Sequence, residues 1–132
     1  MQFPVIILRH NESSIYFFSK KDELGLVSHN GHSFYKKKGI IYDCNGDKYE
    51  IIDATKIKKA PFFKSVKYFQ PMYVVQLEVK FLEKTDLAEF KTLINQHIKK
   101  HERYWLQRDI ISDLQEKINL IGNHCDIIKF LK

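Results

Sequence analysis

Six histidines, two cysteines and sixteen carboxylates are the side chains of this 132-residue chain with the widest chemical reach, and their spacing decides what they could do. His97 and His101 stand four apart in a segment of helical periodicity, so their imidazoles share a face and could offer two ligands to zinc. Ile98 follows His97 where a HExxH site has its glutamate base, and further ligands would have to come from Glu102, His124 or Cys125. Packing beside Trp105 is the simpler role for His101, and no metal is expected. His124-Cys125-Asp126 contains a nucleophile and a base type, but adjacent helical residues point in different directions and do not form a dyad by being neighbours. His29 and His32 could act as acid and base in RNA cleavage, because imidazole titrates near neutrality, but nothing positions them against a substrate. Asp43, Asn45 and Asp47 alternate like the start of a calcium loop, yet Gly46 is not at the sixth position and twelve loop residues are lacking. The expectation is a protein without catalytic residues or cofactor.

The elements that hold these residues are read from pattern. Ile40 to Ile52 contains two strand-like runs joined by Asn45-Gly46, the strongest short-range hairpin signal because both residues tolerate the positive φ of a tight turn. Residues 3 to 9 and 14 to 19 predict an earlier hairpin, in which Tyr16, Phe17 and Phe18, like Phe34 and Tyr35 further on, belong to the core; an RNP-type RNA-binding motif is missing. Ser19 can cap a short helix that Gly25 stops. Ser28 to Gly31 reads as a polar loop, followed by strand-like Ser33-Phe34-Tyr35. Lys56-Ile57-Lys58 suggests a half-buried strand with Ile57 inward. Pro61 and Pro71 bracket an irregular segment whose Phe62, Phe63, Tyr68 and Phe69 are expected to cover one end of the core. Residues 73 to 82 alternate as a strand.

From Asp86 the period changes. Asp86 and Glu89 resemble a capping box, and Leu87, Phe90, Ile94, Ile98, His101 and Trp105 predict one long amphipathic helix. Ile110, Ile111, Leu114, Ile118 and Ile121 form a second stripe that Gly122 ends, and Asn123 can cap a last short helix. The fold expected is α+β: one domain over 1–132, with an antiparallel sheet from the first two thirds (1–83) packed against two or three C-terminal helices (84–132).

Hydrophobic residues at 44% and charged residues at 29% describe a globular chain, and no run approaches the roughly 18 apolar residues of a membrane span. The opening apolar run lacks a basic flank and ends at Arg9, so it reads as a strand rather than a signal. Cys44 and Cys125 have no CxxC partner and are expected as free thiols, which points to the cytoplasm. The net charge of +6 raises nucleic acid as a partner. Lys36, Lys37 and Lys38, with Lys56, Lys58 and Lys59, would carry that binding. Only three arginines are present, however, and phosphate and guanine recognition favours the arginine fork.

Ile15-Tyr16-Phe17-Phe18-Ser19, Lys21-Asp22-Glu23-Leu24, Gly39-Ile40-Ile41-Tyr42-Asp43 and Asn45-Gly46-Asp47 together resemble the opening of small bacterial proteins encoded beside toxin genes. These are the immunity proteins of contact-dependent inhibition and related polymorphic toxin systems. The resemblance implies a protein that binds a cognate toxin protein and blocks it, without an active site; the chain is expected as a monomer or homodimer. A basic inhibitor would then meet an acidic toxin surface or use a local acidic patch, for which Asp109, Asp113 and Glu116 are the candidates. The alternative is a basic nucleic-acid-binding accessory protein.

Overall fold

The Val5-Ile6-Ile7-Leu8 run is β1 (Val5–Leu8), and all four residues are buried. A strand buried on both faces needs cover on both, and successive side chains point to opposite sides of the pleat. Ile6 and Leu8 enter a cluster with Phe90, Ile94, Ile98, Leu114, Ile118 and Ile127 from the C-terminal helices. Val5 and Ile7 enter a second cluster with Leu24, Val27, Tyr35, Ile51 and Val75. The chain, described over residues 1–132 in a computed structural model, is therefore a sheet between two apolar layers.

β1 pairs antiparallel with β2 (Tyr16–Phe18) on one side and with β4 (Ile40–Asp43) on the other. Between them lie α1 (Lys21–Leu24), β3 (Leu26–Ser28) and α2 (His29–Lys36). β4 turns through Asn45-Gly46 into the long β5 (Asp47–Lys59), which pairs with the equally long β6 (Met72–Lys84) after the short α3 (Phe62–Lys67). The order is β2-β1-β4-β5-β6-β3, antiparallel throughout. The α+β expectation holds, with the C-terminal helices following the strands. These are α4 (Leu87–Lys100), α5 (Glu102–Trp105), α6 (Ile111–Leu120) and α7 (His124–Phe130).

The hairpin forms as expected, but its turn centres on Cys44-Asn45, closed by the Gly46 amide donating to the Asp43 carbonyl at 2.9 Å, and only Gly46 takes positive φ. Gly46 has φ +83°, and a Cβ there would come within 2.7 Å of the Thr85 carbonyl oxygen. Buried Asp43 organises the same turn: its carboxylate accepts the backbone N–H groups of Gln2, Asn45 and Asp47 at 2.9 to 3.0 Å. At α4 and α7 the predicted caps form, with Asp86 accepting from the Glu89 amide and Asn123 from the Asp126 amide, each at 2.8 Å.

Five expectations are corrected. Residues 29 to 36 are helix rather than loop and strand: the Ser28 hydroxyl accepts the Gly31 amide at 3.2 Å as N-cap, and Tyr35 is buried with its hydroxyl donating to the Leu24 carbonyl at 2.8 Å. Gly31 serves close packing, since a Cβ there would lie 2.9 Å from Val27 Cβ. Ile57 faces solvent, because the β5–β6 register shifts between Lys56 and Lys58 and turns its side chain out. The long helix breaks at His101 (φ −111°, ψ 40°), which starts the short turn that swings Trp105 back into the core.

Cys44 and Cys125 are not free thiols; they form a disulfide that ties the β4–β5 turn to the first turn of α7 across 81 residues of sequence. Spacing along the chain cannot reveal such a pairing, because the turn and the last helix meet only in the folded sheet. The fifth correction concerns the segment after Pro61, whose aromatic side chains lie exposed rather than covering the core.

Candidate functional site

From residue 54 to residue 77 the chain has five lysines and no aspartate, glutamate or arginine. This stretch is the far half of β5, α3 and the near half of β6. At its end Phe62, Phe63 and Phe69 are 83%, 67% and 95% exposed, and Val66 and Tyr68 are exposed beside them. Single exposed apolar side chains are ordinary; five on one ten-residue tip form a patch that needs an explanation.

The tip is held in place by backbone hydrogen bonds. The Ala60 amide donates to the Met72 carbonyl at 2.8 Å and closes the ribbon, and Phe69 and Gln70 amides donate back to Val66 and Ser65 carbonyls. The Met72 amide donates to the Ser65 hydroxyl at 3.3 Å. Phe69 sits at φ +54°, a left-handed conformation that is costly for a bulky residue and points its ring outward. Lys64 and Lys67 lie on α3, and Lys58 and Lys59 lie exposed at the end of β5. A groove of about 460 Å³ runs between Phe63, Lys64 and Tyr68 of the tip and Phe17, Asp22 and Glu23 across from it. The result is an apolar end whose own charges are all cationic, with Asp22 and Glu23 facing it across the groove, suited to a concave partner surface that is acidic where it meets the lysines.

The other candidates distribute as follows. Asp109 is engaged: its carboxylate accepts from Lys117 Nζ at 2.9 Å and from the Ile110 amide at 2.8 Å, and the Lys117 ammonium holds it below the usual carboxylate range. Asp113 and Glu116 are exposed on α6, with Asp113 adding its charge to the field that raises Lys117. Lys36 pairs with Asp53 at 2.5 Å, which lowers the Asp53 carboxyl, and Lys56 Nζ lies 2.9 Å from His29 Nδ1 and over the Tyr73 ring. His32 Nε2 is 2.8 Å from the Ala54 carbonyl oxygen. Lys36, His29 and His32 thus fasten α2 to β5, while Lys37 and Lys38 stand exposed in the turn before β4.

His97 and His101 have ring centroids 4.8 Å apart, and both reach the β1–β2 loop, His97 Nε2 to the Ser13 carbonyl at 3.1 Å and His101 Nε2 to the His10 carbonyl at 3.4 Å. A cavity of about 300 Å³ opens beside them, lined by Leu8, His10, Tyr42, Leu93, His97 and Lys100. Burial holds the His97 imidazolium below its usual range against the Ser13 carbonyl, which favours the charged form; His101, Lys100 and His10 add to the lowering. The unfolded chain therefore takes up this proton at higher pH than the folded one, so stability rises with pH across the interval between the two values. Denaturant unfolding is expected to show stability falling as pH drops through about 6.5, and His97→Gln to lose that component; an unchanged pH dependence in the variant would remove His97 as its source.

His124 Nε2 lies 2.8 Å from the Thr85 carbonyl oxygen and Cys125 is in the disulfide, so His124-Cys125-Asp126 offers no thiol nucleophile while the bridge is intact. The aromatic tip is the feature that sequence reasoning assigned to the core. Its signal was the acid-free, lysine-punctuated run between two prolines. No helix is long and apolar enough to cross a membrane. Comparison with protein-family models, with curated proteins and with solved structures finds no match for this chain.

Proposed function

We propose that this chain is an immunity protein: it binds a cognate bacterial toxin domain and neutralises it by occupying a surface the toxin needs. The observation that carries the proposal is the exposed cluster of Phe62, Phe63, Val66 and Phe69 on a fixed turn within an acid-free run. Interface energy concentrates in a few large apolar anchors that fill a partner's pockets, and surrounding charge steers the encounter. The toxin surface is then concave and acidic at its rim. Asp113 and Glu116, with Asp109 beside Lys117, form a second, weaker contact in this proposal. The cytoplasmic location is part of the same proposal; there Cys44 and Cys125 would be exposed to a reducing pool, and alkylation before lysis would capture them as thiols.

The test is co-expression with the product of the neighbouring large reading frame, scored by cell survival and by co-purification. Phe62→Ser with Phe69→Ser is expected to weaken binding by about a hundredfold and abolish protection, while changing stability by no more than about 0.5 kcal/mol because both rings are solvated. Full protection by the double variant would move the contact away from the tip. No protection and no complex with the unaltered protein would end the immunity proposal. Nucleic acid is the second reading, favoured by the five lysines of the run; retention of RNA or DNA that disappears steeply with salt, without a protein partner, would select it.

A further inference from the structure

β6 is paired along its inner side by β5 over nearly its whole length, but on its outer side β3 covers only Met72 to Val74. The Val75 amide still finds a partner, the Gly25 carbonyl at 2.9 Å. Beyond it no strand pairs with that side of β6. The sheet therefore ends in an open edge over residues 76–84, and an open edge is a template for another strand.

The side chains along this edge are self-complementary. Gln76, Glu78 and Lys80 lie on one face; Leu77, Val79 and Phe81 lie on the other, where Leu77 and Val79 pack onto the second core cluster and Phe81 stacks edge-on against Tyr49 while remaining 54% exposed. Two antiparallel copies related by a twofold axis through Val79 place Glu78 of each opposite Lys80 of the other, twice. The same register places Leu77 opposite Phe81, twice, and Val79 opposite itself. Opposite charges and apolar pairs directly across an antiparallel ladder are the favourable combinations. With the axis at Glu78 or at Lys80, like charges face each other. A one-residue slip is barred because it would set the apolar face of one copy against the polar face of the other.

In the Val79-centred register the regular ladder covers residues 77–81 in both copies; Leu82 is bulged against β5, and Glu83 and Lys84 of each copy must peel from the edge where the other copy's Gly25 and β3 hold Val75 and Met72 to Val74. We propose that the partner of the β6 edge is a second copy of this chain, forming a twofold dimer with one sheet continuous through both subunits. This proposal is independent of the toxin-binding reading, since the tip lies at the opposite end of the ribbon from Phe81.

Charge exchange separates pairing from folding. Sedimentation equilibrium of the unaltered protein is expected to give twice the 15.8 kDa chain mass at about 100 µM, a loading at which even a micromolar dimer is filled. Glu78→Lys alone and Lys80→Glu alone each set like charges opposite and are expected to weaken the dimer roughly tenfold or more. Mixing the two variants restores attraction at both pairs, so a heterodimer should form with affinity near that of the unaltered protein. Val79→Cys is expected to give a disulfide-linked dimer under oxidation, and Glu78→Cys, which faces Lys80 rather than itself, is not. A monomer at that concentration, or variants that dimerise as well alone as mixed, would overturn the proposal. Circular dichroism of each variant guards against a simple failure to fold, and the mixing result is not produced by misfolded chains.

Discussion

Replacing Cys44 and Cys125 together by serine is expected to lower the free energy of unfolding by about 4 kcal/mol, within a general range of roughly 2–5. The bridge closes a loop of 81 residues, so most of its effect lies in the unfolded chain, whose two distant segments it keeps together. A domain of this size commonly has only about 5–15 kcal/mol of stability to lose. Equilibrium urea unfolding with and without reductant checks the prediction, together with the mass added by alkylation before and after reduction. A midpoint that stays put when the thiols are demonstrably free would show that the bridge carries no stability. The native turn should survive in either case, because the Asp43 carboxylate holds three backbone amides there independently of sulfur.

Phe90→Ala is expected to cost about 3–5 kcal/mol. Phe90 is fully buried where three parts of the molecule meet: its ring centroid is 5.5 Å from Tyr42 on the sheet and 5.2 Å from His124 at the head of α7, and its own backbone belongs to α4. Truncation removes contacts on all three sides, and the sheet behind it cannot collapse into the space without moving β4. The loss should fall short of additive with the cysteine variant, because His124 adjoins Cys125 and both changes release the same helix. Leu120→Ala, at a residue 80% exposed, should change stability by no more than about 0.5 kcal/mol. Equal effects at the two positions, measured by thermal or urea unfolding, would contradict this account of the core.

The features legible in the sequence were those encoded locally. Asn45-Gly46, the Asp86 and Asn123 caps and the apolar steps of α4 each carry their own short-range chemistry, and each element formed. α2 was missed because His29-Asn30-Gly31 has the composition of a turn; the deciding interactions are the Ser28 cap and the approach of Gly31 to Val27, which only the folded sheet brings into view. The break at His101 was hidden for a related reason, since His101 and Trp105 continue the helical period while the backbone does not. The tip was misplaced because aromatic composition ordinarily signals burial, and nothing local says that the end of the β5–β6 ribbon will leave those rings in solvent. Among the candidate site residues, the lysines were legible as charges but not as fasteners. That Lys36 meets Asp53 and Lys56 meets His29 depends on α2 lying over β5.

The double-sided burial of β1 also has a consequence for synthesis. Residues 5–8 are made before the helices that close one of their faces, α4, α6 and α7, whose buried residues extend to Leu131. A nascent chain that has reached residue 84 can complete every strand pairing of the sheet yet still carries Ile6, Leu8 and Tyr42 with no apolar layer above them. Translation therefore passes through an interval in which the sheet is whole and one side of it is bare. Stop codons between β6 and α4 would fix the molecule in that condition, so such shortened products should be recovered as aggregates rather than as smaller folded proteins.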